Sequence, residues 1–138
     1  MKKTIMFVLM SLSLLFADEP VWQKGLKEAI VQAKKESRLV MVMVESEHCR
    51  WCKKMHRYTL GDRRVIGALK PYISVRMNRE ESSTIEELPQ VKAVPTIFFL
   101  DPDMKVIETV VGYFDAEDFL SYLEDVDRKV SKSGRPGE

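Results

Sequence analysis

The sequence predicts an α/β fold, a central mixed β-sheet of about four strands flanked by helices on both faces. Three observations predict it. The unbroken apolar run LVMVMV (Leu39 to Val44) reads as a strand buried on both faces, and the run VPTIFFLD (Val94 to Asp101) as a second strong strand. Helix-spaced apolar residues precede the first run and follow the second. The order helix, strand, helix, strand, helix, strand, strand, helix then demands a sheet covered on both sides.

Taken in order, Lys2 and Lys3 form a basic start, Ile5 to Phe16 is apolar apart from Ser11 and Ser13, and Ala17 precedes acidic DEP. That pattern predicts a signal peptide over residues 1–17, too short for a comfortable membrane span. Val21, Trp22, Leu26, Ala29, Ile30 and Ala33 share a helical spacing, with Pro20 near its start, and predict the first helix. After the LVMVMV strand, a helix is expected from Cys49 through about Leu60. Asp62 is placed to cap the helix RRVIGALK, which Pro71 closes. YISVRMN is the next strand and SSTIEEL a short helix. VPTIFFLD and MKVIETVVG then pair across a turn at Pro102 and Asp103, and Asp115 caps a last amphipathic helix. One domain is expected over 18–130, with a disordered tail at 131–138 and no internal repeat.

Without residues 1–17 the 22 basic and 21 acidic residues become 20 and 21, so the remaining chain sits near −1. Such a balance argues against a nucleic acid or an anionic membrane as partner. The eight methionines fall mostly in the signal segment and the strands, and read as core, not as copper ligands.

Both cysteines lie in ESEHCRWCKKMH, Glu45 to His56. The loop they would close is too short to remove much unfolded-state entropy, which weakens a structural-staple reading. A metal reading can gather Cys49, Cys52, His56 and His48, but it lacks the second ligand pair of a strong zinc signature, and no metal is assigned. Covalent haem attachment needs a histidine after the second cysteine, where Lys53 stands. Redox chemistry fits better. A thiolate is the nucleophile of disulfide exchange, and a helix start offers Cys49 unpaired N–H groups and the positive end of the helix dipole. Arg50, Lys53 and His48 add positive or titratable charge beside it. Spacing i, i+3 puts Cys52 on the same face, where it can resolve a mixed disulfide on Cys49.

The strand–CRWCK–helix order, followed by KAVPTIFFLD and by Gly112 before the final helix, resembles the thioredoxin superfamily from about Val21 to Val130. Within it, HCRWCKKMHRYTLGDRRVIGALK is similar to exported thioredoxin-like proteins and to the C-terminal domain of the membrane thiol:disulfide interchange reductase. The resemblance implies a thioredoxin-like fold, with Cys49 as nucleophile, Cys52 as resolving thiol and a cis bond before Pro95. It further implies that Trp51, Val94, Pro95 and Thr96 position the substrate, the Val94 backbone pairing with a substrate strand.

One departure stands out. Thioredoxins bury an acid six positions before the first cysteine, and here that position is Met43. Glu45 shares the parity of Met43 along the strand and is the candidate replacement, with Arg76 a candidate partner for it. Activity is expected to be thiol:disulfide exchange in the reductase or interchange direction, in the periplasm or otherwise exported. A net oxidase or isomerase, or a non-enzymatic binding or zinc module of the same fold, is the alternative. The expected working group is the Cys49–Cys52 disulfide with no other cofactor. The expected partners are protein thiols and disulfides and an upstream thiol redox partner, a membrane-bound one among the candidates; a monomer is expected.

Overall fold

The computed structural model describes residues 19–80 and 83–134. The expected signal segment, 1–17, lies outside the described residues, as do 135–138 of the expected tail. The strands are β1 (Trp22–Gln23), β2 (Val40–Glu45), β3 (Ile73–Asn78), β4 (Thr96–Leu100) and β5 (Val106–Val111). They form one mixed sheet in the order β1-β3-β2-β4-β5. The β1–β3 and β3–β2 pairs are parallel, while β2–β4 and β4–β5 are antiparallel.

The alternation of side chains along β2 explains how the sheet is sandwiched. Val40, Val42 and Val44 pack with Leu26, Ala29 and Ala33 of α1 (Leu26–Glu36) on one face. Met41 and Met43 point to the other face, into a core with Cys49, Cys52, Met55, Phe99 and Phe119. That second face is covered by α2 (Arg50–Lys54), α3 (Arg63–Leu69) and α4 (Ala116–Lys132). Phe99 and Phe119 are fully buried there, so truncating either to alanine should cost about 3–5 kcal/mol.

Three local outcomes differ from the sequence reading. The sheet has five strands where about four were expected. The extra one takes Trp22, which the periodicity had placed on the first helix. Gly25 is extended and caps α1 immediately before Leu26, so Trp22 and Gln23 stay outside the helix and pair with Ser74 and Val75. A two-residue strand is too short to show a period of its own. Second, the helix expected through about Leu60 is α-helical only to Lys54. Met55–Thr59 form a π turn, in which the Leu60 N–H reaches the Met55 carbonyl. Gly61 follows because a Cβ there would sit 2.8 Å from the Arg57 carbonyl oxygen. Third, α4 continues to Lys132, two residues past the expected domain edge at 130.

The helix caps agree with the sequence. Asp62 accepts a hydrogen bond from the Arg64 N–H at 2.8 Å, and Asp115 one from the Asp118 N–H at 3.0 Å. Residues 83–87, in the segment expected as a short helix, form a 3₁₀ turn.

Candidate active site

Parallel pairing with β3 and antiparallel pairing with β4 hold β2 at the centre of the sheet, and the chain leaves its end for the cysteine helix. Cys49 is the N-cap of α2, with extended backbone (φ −84°, ψ 104°). Its sulfur accepts a hydrogen bond from the Cys52 N–H at 3.0 Å. The two cysteines are joined as a disulfide with Cα atoms 5.2 Å apart. Cys49 is 9% exposed and Cys52 3%, so Cys49 is the more accessible sulfur of a largely covered pair.

The Val94–Pro95 bond is cis. Thr96, buried, donates its hydroxyl hydrogen to the Ala93 carbonyl at 2.7 Å, bridging the turn that holds this bond. The Gly112 N–H donates to the Pro95 carbonyl at 2.8 Å, and Gly112 has φ +96°, a conformation that side chains disfavour. The proline turn is thereby tied to the β5–α4 turn. Val94 packs against the core that holds both cysteines.

The remaining residues singled out from sequence divide by environment. His48, Arg50 and Lys53 are solvent-exposed around Cys49. Arg50 lies over the Trp51 ring, 5.5 Å from its centroid, and Trp51 is 47% exposed. Glu45 is half-buried and turned the other way, to His56 at 2.6 Å and to Arg76 at 2.8 Å. Burial pushes its carboxyl up, but the hydrogen bonds from His56 and Arg76 outweigh this and hold it below its usual value of 4.5. Arg76 therefore pairs with Glu45, the partner for which it was a candidate from sequence. Met43 is fully buried on the cysteine face.

Two features escaped sequence reasoning. His56 entered the sequence reading only as a weak metal candidate, yet it joins Glu45, and its ring packs edge-to-face with Trp22, centroids 5.7 Å apart. Its spacing of four from Cys52 was the available signal. Tyr113 carries no signal in the sequence; its ring centroid lies 5.8 Å from that of Trp51, a contact between distant segments. Among the described residues, no group of three or more His, Cys, Asp or Glu side chains is placed to hold a metal ion. Nor is any described helix long and apolar enough to cross a membrane.

Residues 26–127 match the thioredoxin-like domain family. The thiol:disulfide interchange protein DsbD of Pectobacterium atrosepticum is 32% identical over 96 residues, covering 65% of this chain and 17% of that protein. DsbD of Salmonella paratyphi A is 31% identical over 106 residues, covering 72% and 18%. The chain thus spans less than a fifth of the length of these curated relatives. Among solved structures, a thioredoxin from Thermus thermophilus superposes with TM-score 0.68 at 23% identity, covering 88% of this chain and 98% of that one. The oxidised C-terminal domain of DsbD from Neisseria meningitidis gives 0.58 at 24% identity, covering 71% and 90%. With a strand-to-cysteine-helix junction, a cis-proline turn and a five-stranded mixed sheet all in place, the chain belongs to the thioredoxin-like domain family and resembles the C-terminal domain of DsbD.

Proposed function

We propose that this protein is an exported thiol:disulfide oxidoreductase, directed by its segment 1–17, that reduces or interchanges disulfides in protein substrates as a monomer. The observation that carries the reading is the Cys49 sulfur at the cap of α2, accepting the Cys52 N–H at 3.0 Å with Cys52 covered behind it. That contact favours negative charge on Cys49 and spares Cys52 for the second step.

In the reduced protein the Cys49 thiolate attacks one sulfur of a substrate disulfide. A Cys49–substrate bond forms, and the other substrate sulfur leaves as a thiolate. Cys52 then loses its proton and attacks the Cys49 sulfur, closing the Cys49–Cys52 bond and releasing the second substrate thiolate. Two electrons pass to the substrate, and an upstream dithiol partner, membrane-bound in the arrangement we favour, restores them. His48, Arg50 and Lys53 bias Cys49 toward thiolate. Glu45, anionic and hydrogen-bonded to His56 one turn beyond Cys52, takes the place of the acid missing at Met43. Trp51, Val94, Pro95 and Thr96 position the substrate, the Val94 backbone pairing with an extended segment. Similarity to DsbD supports the interchange direction over net oxidation.

Catalysed reduction of insulin by the full chain tests the activity. Turnover above dithiothreitol alone supports it, and none would refute it. Cys52→Ala should leave the Cys49–substrate disulfide unresolved and so identify the clients.

A further inference from the structure

We propose that the flank of the disulfide formed by α2 and the π turn is a docking surface for polypeptides that carry acidic side chains beside the reacting cysteine. The proposal rests on the thiol-exchange reading and adds a substrate class to it.

Four cations, Arg50, Lys53, Lys54 and Arg57, fall within eight residues, and the stretch from Cys49 to Leu60 contains no acid. Their spacing brings them to one side of the helix. Several cations elsewhere on the protein are paired with acids: Arg38 with Glu36, Arg64 with Asp62 and Glu117, Arg76 with Glu45, Lys129 with Glu108. None of these four forms an ion pair among the described residues.

Three of them, Arg50, Lys54 and Arg57, rest on aromatic faces instead. Lys54 lies over both Trp51 and Tyr113, at 5.0 and 4.4 Å from the ring centroids. Arg50 covers Trp51 at 5.5 Å and Arg57 covers Tyr58 at 5.3 Å. Trp51 and Tyr58 are about half exposed, at 47% and 55%. A cation held on a ring keeps its remaining N–H groups free for an incoming carboxylate and has less side-chain freedom to lose on binding. The acids bordering this surface are already engaged, Asp115 in capping α4 and Glu117 with Arg64.

The neighbouring chemistry selects the occupant. Only a partner with a disulfide or thiol can react with Cys49, which a nucleic acid or a lipid headgroup lacks. An apolar partner would strip water from four unpaired cations without compensation. The whole chain carries a net charge of only +1, so a preference for acidic substrates must come from this local patch.

The test compares rates at which the reduced full chain reduces three disulfide peptides of equal length, acidic, neutral or basic beside the cysteine. The acidic peptide should react about tenfold faster than the neutral one at low salt. That ratio should approach one as ionic strength rises from about 0.01 M to about 1 M, where screening shortens from about 30 Å to about 3 Å. Arg57→Glu should abolish the preference and Arg57→Lys retain it. Lys27→Glu, the same charge change on α1 across the sheet, should leave the ratio unaltered. Equal rates for the three peptides, or a ratio lowered as much by Lys27→Glu as by Arg57→Glu, would overturn the docking surface while leaving thiol exchange intact. Failure of all three peptides to react would remove both.

Discussion

His56 Nε2 lies 2.6 Å from Glu45 Oε2, joining the turn that follows the cysteine helix to the end of β2. The other carboxylate oxygen of Glu45 accepts from Arg76, whose guanidinium lies 5.5 Å from the centroid of the Trp22 ring. An acidic residue is thus held where β2, β3 and the cysteine helix meet, although the position matching the thioredoxin acid is a buried methionine.

The first prediction concerns that carboxylate. Its folded-state pKa is depressed, so the stability it contributes is present above the usual 4.5 and is lost as pH falls through the lower folded value. Glu45→Gln should cost about 1.5–3 kcal/mol at pH 7, since hydrogen bonds to charged groups are lost. It should also flatten the stability profile in the acid range below 4.5. Urea unfolding of both proteins at neutral pH and through the acid range measures this. Parallel acid limbs would contradict it. The same variant should slow resolution of the Cys49–substrate disulfide relative to its formation.

Arg50 should tune the potential. It is exposed beside Cys49 and favours thiolate over disulfide, so removing it makes the reduced form less stable and the protein a weaker oxidant. Arg50→Gln should lower the reduction potential by about 10–30 mV, a small shift because solvent screens the charge. Equilibration of the protein against thioredoxin reads the shift directly, and thiolate absorbance should show Cys49 ionising at higher pH in the variant. A rise in potential would mean that Arg50 acts on substrates alone.

Thr59, fully buried, donates its hydroxyl hydrogen to the Phe114 carbonyl and ties the π turn to the β5–α4 turn. Thr59→Val keeps the shape but leaves that carbonyl without its partner, at a cost of about 1–3 kcal/mol. The contact between Trp51 and Tyr113 should loosen with it. Denaturant midpoints give the first effect, and Trp51 fluorescence in a Trp22→Phe background gives the second. An unchanged spectrum would show that Tyr113 is held independently of this bond.

Gly61→Ala brings a Cβ to 2.8 Å from the Arg57 carbonyl oxygen, a backbone atom that cannot swing aside. A destabilisation of about 1–3 kcal/mol is expected, because the π turn must shift to relieve the contact. Thermal unfolding suffices to measure it, and a neutral result would show that the turn adapts freely.

Long apolar runs and helix starts were legible without coordinates. VMVMV and IFFL lie in strands because unbroken apolar character can be satisfied only between two covered faces, and Asp62 and Asp115 cap helices through bonds two and three residues away. Cys49 and Cys52 were equally plain, since their pairing needs nothing beyond four consecutive residues at a helix start. The two-residue strand at Trp22 and the π turn at Met55–Thr59 were not legible: the first is defined by its pairing with β3, the second by a wider turn that keeps helical spacing.

By itself, then, the sequence determined the sheet's buried strands, the helix caps and the placing of the Cys49–Cys52 dithiol at a helix start, all of which depend on neighbours along the chain. Tertiary structure alone decided what surrounds that dithiol. Glu45 meets His56 across 11 positions and Arg76 across 31, and Trp51 meets Tyr113 of the β5–α4 turn. Such contacts are set by strand register and by the packing of helices on a common face, and of the three only the Glu45–Arg76 pair was a candidate from sequence.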